Sequence, residues 1–225
     1  MSTPTVPNTL NNWTRVGQMF FSTMSHRLYD TGLYKFVTGS IWRCPTALLL
    51  DNYADNISNN HLEVGVGSGY FLQRTLCAEF LDRLLLSDLN RRCLAKSGAR
   101  LAAFAPEMLE HNIQQPLPIS ARGFKSVGMN YVLHCIPGRF SRNQAIFQNV
   151  HAALEEEGVF FGATLIPDKF RDGIASWLLM RALNGLGIFN NSNHRVDELK
   201  GALKVYFSKV EVSMVGNAAV FVAVK

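Results

Sequence analysis

No run of Lys or Arg in the 225 residues exceeds two. A nucleic-acid partner calls for a clustered basic stripe, so the net charge of +5 points to neither RNA nor DNA. No apolar stretch approaches the roughly 18 residues of a spanning helix, so no membrane role is expected. No C-x-x-C pair occurs. Cys44, Cys77, Cys93 and Cys135 are widely separated, which argues against zinc, and no metal is expected. The stretch Met1-Ser2-Thr3-Pro4 has no basic segment followed by an apolar core, unlike a secretory leader. The expected setting is a reducing cytoplasm with free thiols. Internal repeats and low-complexity linkers are also lacking. What remains is 48 % hydrophobic and 17 % charged, which excludes disorder and suits one domain with a full core.

The most informative stretch is His61-Leu62-Glu63-Val64-Gly65-Val66-Gly67-Ser68-Gly69-Tyr70-Phe71. It reads as a buried strand that stops at a glycine turn and feeds a helix continuing from Tyr70 to Phe80. Glycine admits positive φ and lets the backbone approach a ligand closely. The dinucleotide fingerprint has two residues in its last gap; here the gap holds one. Downstream, Arg83-Leu84-Leu85-Leu86-Ser87-Asp88 reads as a second apolar strand ending in an acid. Asp88 lies about twenty residues past the turn, where a βαβ unit sets a carboxylate against a ribose diol. A helix cap near Asn90 is its alternative role.

Short apolar runs then alternate with amphipathic segments, as in a parallel sheet with crossover helices. Strands are expected at 61–66, 83–88, 109–113, 126–133 and 158–165. Two more, 208–215 and 218–224, flank Gly216-Asn217, a tight-turn signal for an antiparallel pair. Residues 1–12 read as a loose tail and 13–55 as two or three covering helices. The segment 166–207 is longer than a crossover needs. It holds an apolar helix at 172–184 and a Gly/Asn-rich loop at 184–195, and serves either as a lid or as a plain cover for the sheet.

The spacing E-x-G-x-G-x-G at Glu63 to Gly69 resembles motif I of the class I S-adenosylmethionine-dependent methyltransferases. The strings Val132-Leu133-His134-Cys135-Ile136-Pro137-Gly138, Ile41-Trp42-Arg43-Cys44-Pro45 and Phe161-Gly162-Ala163-Thr164 are similar to a group of small bacterial and fungal members acting on small molecules. The likeness runs from about residue 27 to the C-terminus. It implies an α/β, Rossmann-like class I methyltransferase fold: a seven-stranded, mostly parallel sheet with an antiparallel last strand, N-terminal helices and a helical insert before the last hairpin.

The resemblance also implies a cofactor, S-adenosyl-L-methionine, and residues to hold it. Gly65, Gly67 and Gly69 lay bare backbone against it, Asp88 meets its ribose, and Leu89 and Asn130 flank it. Glu63 lies near the methionine amino group, unless it is a structural carboxylate. Asn112 stands where members commonly carry an acid for the adenine, and Lys125 where the fourth strand usually opens with aspartate. Tyr29, Tyr34 and Trp42 offer ring faces to a sulfonium, with Tyr29 also able to meet the carboxylate. Arg43 is a bidentate partner for that carboxylate or a solvated surface group.

Methyl transfer at an activated carbon asks mainly for alignment, plus removal of a proton from the acceptor. His134, beyond the fourth strand, is the expected general base, with a backbone-bonded histidine as the alternative. His194 is a second possible base. Cys135 reads as a small buried residue rather than a nucleophile. The acceptor pocket is expected to be apolar, lined by Tyr34, Trp42, His134, Trp177, Met180 and Phe189. The expected activity is methyl transfer to O or N of a small molecule of secondary metabolism. A cyclase or isomerase on the same scaffold, or a non-catalytic methyltransferase-like subunit, stays open. So does the oligomeric state, with a homodimer among the alternatives.

Overall fold

The computed structural model describes residues 31–167 and 173–225. It opens with a wide-turn π-helix at Thr31–Ile41, followed by helix α1 at Thr46–Asn56. The break between them falls at Cys44-Pro45, since proline disfavours a helical residue before it. The rest of the expected N-terminal cover, residues 13–30, and the tail 1–12 lie outside the described residues.

Seven strands follow: β1 (Asn60–Val64), β2 (Arg83–Asp88), β3 (Glu107–Glu110), β4 (Phe124–Asn130), β5 (Leu154–Leu165), β6 (Lys209–Val215) and β7 (Ala218–Val224). Their order across the sheet is β3-β2-β1-β4-β5-β7-β6. β1 to β5 pair in parallel, and β7 runs antiparallel to both β5 and β6. The helices are α2 (Tyr70–Thr75), α3 (Arg91–Arg100), α4 (Gln144–Ala153), α5 (Ile174–Gly185) and α6 (Val196–Lys204).

Strands covered on both faces need apolar residues at successive positions, which is why Leu84-Leu85-Leu86 is buried throughout. Leu62, Val127, Phe147, Val150, Phe160 and Leu203 build the core on the α4 and α6 side. Leu49, Tyr53, Phe71, Leu101, Phe161 and Met180 build it on the side of α1, α2, α3 and α5.

Five expected boundaries are corrected. β1 ends at Val64 rather than 66, where Gly65 turns to φ 73°, and β5 begins at Leu154 rather than 158. The helix after the glycine turn ends at Thr75, whose Oγ1 donates to Phe71 O at 2.9 Å, and the chain is extended at Cys77 before a short 3-10 turn at Ala78–Phe80. β3 occupies 107–110 rather than 109–113, because it is an exposed edge strand and buries Ile113 from the loop after it. β4 stops at Asn130 rather than 133, because Tyr131 turns to φ 58°.

Candidate functional site

β1 and β4 are neighbours although β2 and β3 separate them in sequence. The order reverses there, so a crevice opens beyond their carboxyl ends. Gly65, Gly67 and Gly69 all adopt left-handed backbone, at φ 73°, 54° and 71°. They do so for different reasons. A Cβ on Gly65 would stand 2.2 Å from Val132 Cγ2, so β1's turn lies directly against the segment after β4. A Cβ on Gly69 would press on Leu101 and Ser97 of α3. A Cβ on Gly67 would meet nothing nearer than Gly65 O at 3.9 Å, leaving that side open.

Asp88 ends β2 and reaches this turn. Its Oδ2 accepts from Gly67 N at 3.3 Å and its Oδ1 from Asn90 N at 2.8 Å. The helix-capping role is taken by Asn90, whose Oδ1 accepts from Arg92 N. Burial raises the Asp88 carboxyl to about 6, against the pull of N–H donors from Asn90, Gly67 and Leu89. Asn130 ends β4. Both atoms of its side-chain amide are buried without a hydrogen-bond partner among the described residues, which marks a place for a ligand. Bare backbone, a buried carboxylate and an unmatched amide therefore lie at one switch point, a set of groups that fits an adenosyl group.

Glu63 sits in a different setting. Its Oε1 accepts from Tyr53 Oη at 2.6 Å, and its Oε2 lies 3.0 Å from His61 Nε2. His61 Nδ1 is 2.8 Å from Ser126 Oγ, which also contacts Ser58. Glu63 and His61 share a face of β1, because side chains alternate along a strand. Across on β4 they oppose Gly128 and Ser126. Gly128 is required: a Cβ there would be 2.4 Å from Glu63 Oε2.

His134 is buried in a 3-10 turn after β4. Its Nδ1 receives Leu165 N–H at 3.3 Å and lies 3.4 Å from Thr164 Oγ1. Its ring meets Phe189 edge-on at 4.4 Å. Burial first, then the nearby His194, lowers its pKa to about 3. His194 donates from Nε2 to Gly138 O at 2.9 Å, and burial lowers its pKa too. The Cys135 thiol is pushed up to about 12 by burial and by the Asp88 carboxylate.

Trp42, Met180 and Phe189 are buried in one cluster. Trp177 stands 41 % exposed on α5, with the Arg181 guanidinium over its ring. Arg43, exposed at φ 53°, packs toward Gly173 at the start of α5 and the β6–β7 turn. Asn112 lies in the loop after β3, and its Oδ1 accepts from Gln114 N at 3.0 Å. Lys125 is peripheral and donates to Asn59. Tyr29 and the side chain of Tyr34 lie outside the described residues. Sequence reasoning passed over Tyr53, Ser126 and Gly128. Strand alternation at His61 and Glu63 was the signal available for a buried polar pair.

This sheet order, with its ligand crevice at the reversal point, defines a doubly wound α/β protein that binds a nucleoside-type group. No protein-family model matches the chain. It is 35 % identical over 214 residues to the physcion biosynthesis cluster O-methyltransferase of Aspergillus chevalieri, spanning 94 % of this chain and 96 % of that protein. It is 34 % identical over 182 residues to the N-methyltransferase vrtF of Penicillium aethiopicum, spanning 80 % of this chain and 76 % of that protein. A solved structure described as a DhpI–SAH complex superposes with a TM-score of 0.68 at 15 % identity, over 96 % of this chain and 98 % of that one, a likeness of fold. The chain belongs to the class I S-adenosylmethionine-dependent methyltransferases. It is an enzyme, and its cofactor is S-adenosyl-L-methionine. Among the described residues no helix is long and apolar enough to cross a membrane.

Proposed function

We propose that this methyltransferase modifies an oxygen or nitrogen atom of a small secondary metabolite. The relatives named above carry O- and N-methyltransferase activities in their names. The observation that carries the site assignment is the Asp88 carboxylate hydrogen-bonded to Gly67 N–H, with the unmatched Asn130 amide at the end of β4, on the other side of β1. In this reading Asp88 accepts from the ribose hydroxyls, a charge-assisted contact. The 65–69 backbone and Leu89 flank the adenosyl group. Asn130 takes up the amino-acid end or the ring, and the amide nitrogen of Asn112 is the group left for adenine. Glu63 is held with its carboxylate beneath the turn. Tyr29 and Arg43 belong to the cofactor's carboxylate side.

S-adenosylmethionine supplies a methyl group already activated by the sulfonium. What this chain contributes is placement and exclusion of water. Trp42, Met180 and Phe189 form the acceptor wall, with Trp177 and His194 at its margin. His134 serves there as a neutral ring. With Nδ1 facing the Leu165 N–H, its proton sits on Nε2, so it orients by donating rather than by abstracting. The whole chain acts as one domain, with α5 of the insert at 166–207 as the cover of the acceptor side. Four unbridged cysteines suit a reducing cytoplasm.

The test is titration calorimetry with S-adenosylhomocysteine, followed by radiolabelled methyl transfer to extracts of candidate metabolites. Micromolar binding and label in an ether or amine product are expected. Absence of binding at millimolar product would overturn the reading.

A further inference from the structure

The strand order sets where the base of an adenosyl group falls. The glycine turn closes β1, and Asp88 closes β2 beside it. β3 is the next strand outward, on the side away from β4. Asp88 stands level with Glu110 across the β2–β3 pair, and His111 N donates to Asp88 O at 3.1 Å. With the ribose on Asp88 and the amino-acid end toward the glycine turn and Asn130, the base leaves the opposite carbon of the sugar. It then comes over the loop 111–115.

That loop is built around the Asn112 side chain. Asn112 Oδ1 accepts from Gln114 N at 3.0 Å, and Asn112 O accepts from Gln115 N at 2.8 Å, so an Asx turn and a β-turn start at the same residue. Only the amide oxygen can accept from an N–H, so the bond to Gln114 N fixes which side-chain atom is which. Nδ2 is left over. Among the described residues it has no acceptor, and it is not sealed from solvent. Other oxygens of the turn serve the fold. Ile113 O and Gln115 O both accept from Asn149 Nδ2 at 2.7 Å, and the His111 ring turns Nε2 back to Gln115 O at 3.1 Å. The N–H of Ile113, next in the chain, donates to no atom among the described residues. The turn therefore meets a ligand with two neighbouring donors, while the oxygens of Asn112, Ile113 and Gln115 are occupied.

Purine chemistry decides what such a pair selects. Adenine carries a donor, its 6-amino group, between the acceptors N1 and N7. That amino group meets a second donor here and finds no oxygen. A 6-oxopurine carries two neighbouring acceptors, O6 and N7, which take both N–H groups. We propose that this site reads the base of its cofactor by donation and admits a 6-oxopurine at least as readily as adenine, with Asn112 as the residue that sets the selectivity. This rests on the assignment of Asp88 to the ribose and adds which base that nucleoside site accepts. An aspartate at 112 would keep the turn, since one carboxylate oxygen still accepts from Gln114 N. Its other oxygen would accept from the 6-amino group and repel a 6-oxo group.

The experiment titrates the full chain at neutral pH, by calorimetry, with S-adenosylhomocysteine and with S-inosylhomocysteine. The two compounds share ribose and amino acid and differ in the 6-amino against the 6-oxo base. The inosyl compound is expected to bind more tightly than the adenosyl compound, or no more than about threefold more weakly. Asn112→Asp should melt at the wild-type temperature and shift the ratio of the two affinities about tenfold toward the adenosyl compound. A larger wild-type preference for the adenosyl compound overturns the proposal. So does a ratio that Asn112→Asp leaves within about threefold of wild type. If neither compound binds, the assignment of Asp88 to the ribose falls first and takes the proposal with it, so the two failures are told apart.

Discussion

Asp88 shows how one side chain couples charge, fold and cofactor. Its carboxyl is held at about 6 by burial, whereas an unfolded aspartate titrates near 4. Between those values the native chain holds a proton that the unfolded chain does not. Taken alone, this group favours the native state increasingly as pH falls through that window. In the proposed reading cofactor binding runs the other way, because ribose hydroxyls need the ionised acceptor. S-adenosylhomocysteine affinity should therefore weaken as pH drops below about 6 and level off above about 7. Calorimetry across pH checks this, and Asp88→Asn should flatten the dependence and weaken binding by roughly 1.5–3 kcal/mol. His134 carries the opposite expectation. It is uncharged throughout the working range, so His134→Gln should lower turnover without removing any limb of the pH–rate profile between about 5 and 8. The place of Asp88 against the glycine turn was legible in the chain because it rests on local spacing. The state of His134 was not, since Thr164 and Leu165, about thirty positions away, determine which ring nitrogen is engaged.

At the scale of elements, the turn from β1 to α2 separates folding from binding. Gly65→Ala meets both a left-handed φ and a side chain of Val132 at 2.2 Å. It should cost roughly 2–4 kcal/mol of stability, seen in thermal melts. Gly67→Ala meets only the backbone penalty of about 1 kcal/mol. It should melt nearly normally and yet bind S-adenosylhomocysteine far more weakly. If both variants lose stability equally, the open side of Gly67 is not a ligand face. Strands β1, β2 and β7 were readable as apolar runs with clear punctuation. The end of β4 was not: Tyr131 and Val132 look like strand residues, and only the packing of Val132 under Gly65 bends the chain there. β3 misled because Ile113 is buried from a loop, an apolar residue without a strand around it.

At the scale of the whole molecule, the succession of parallel strands and a closing hairpin followed from alternating patterns and a turn signal, whereas the pairing of β1 with β4 brings together residues no local window contains. The Tyr53–Glu63–His61–Ser126 chain is the clearest case. Removing His61 leaves Glu63 Oε2 buried with one donor fewer, so His61→Ala should lower stability by about 1–3 kcal/mol. Denaturant titration measures this, and Ser126→Ala, which leaves the buried His61 Nδ1 without its partner, should cost a comparable amount. The same cross-strand match has a further consequence. Only one alignment of β1 on β4 sets the carboxylate opposite a residue without a Cβ and the imidazole opposite a hydroxyl. Shifting the strands by two positions would put Glu63 against Ser126 or Asn130 and His61 against Phe124 or Gly128. The pair works as a key that fits a single notch, indexing the centre of the sheet before the glycine turn and Asn130 can come level with each other.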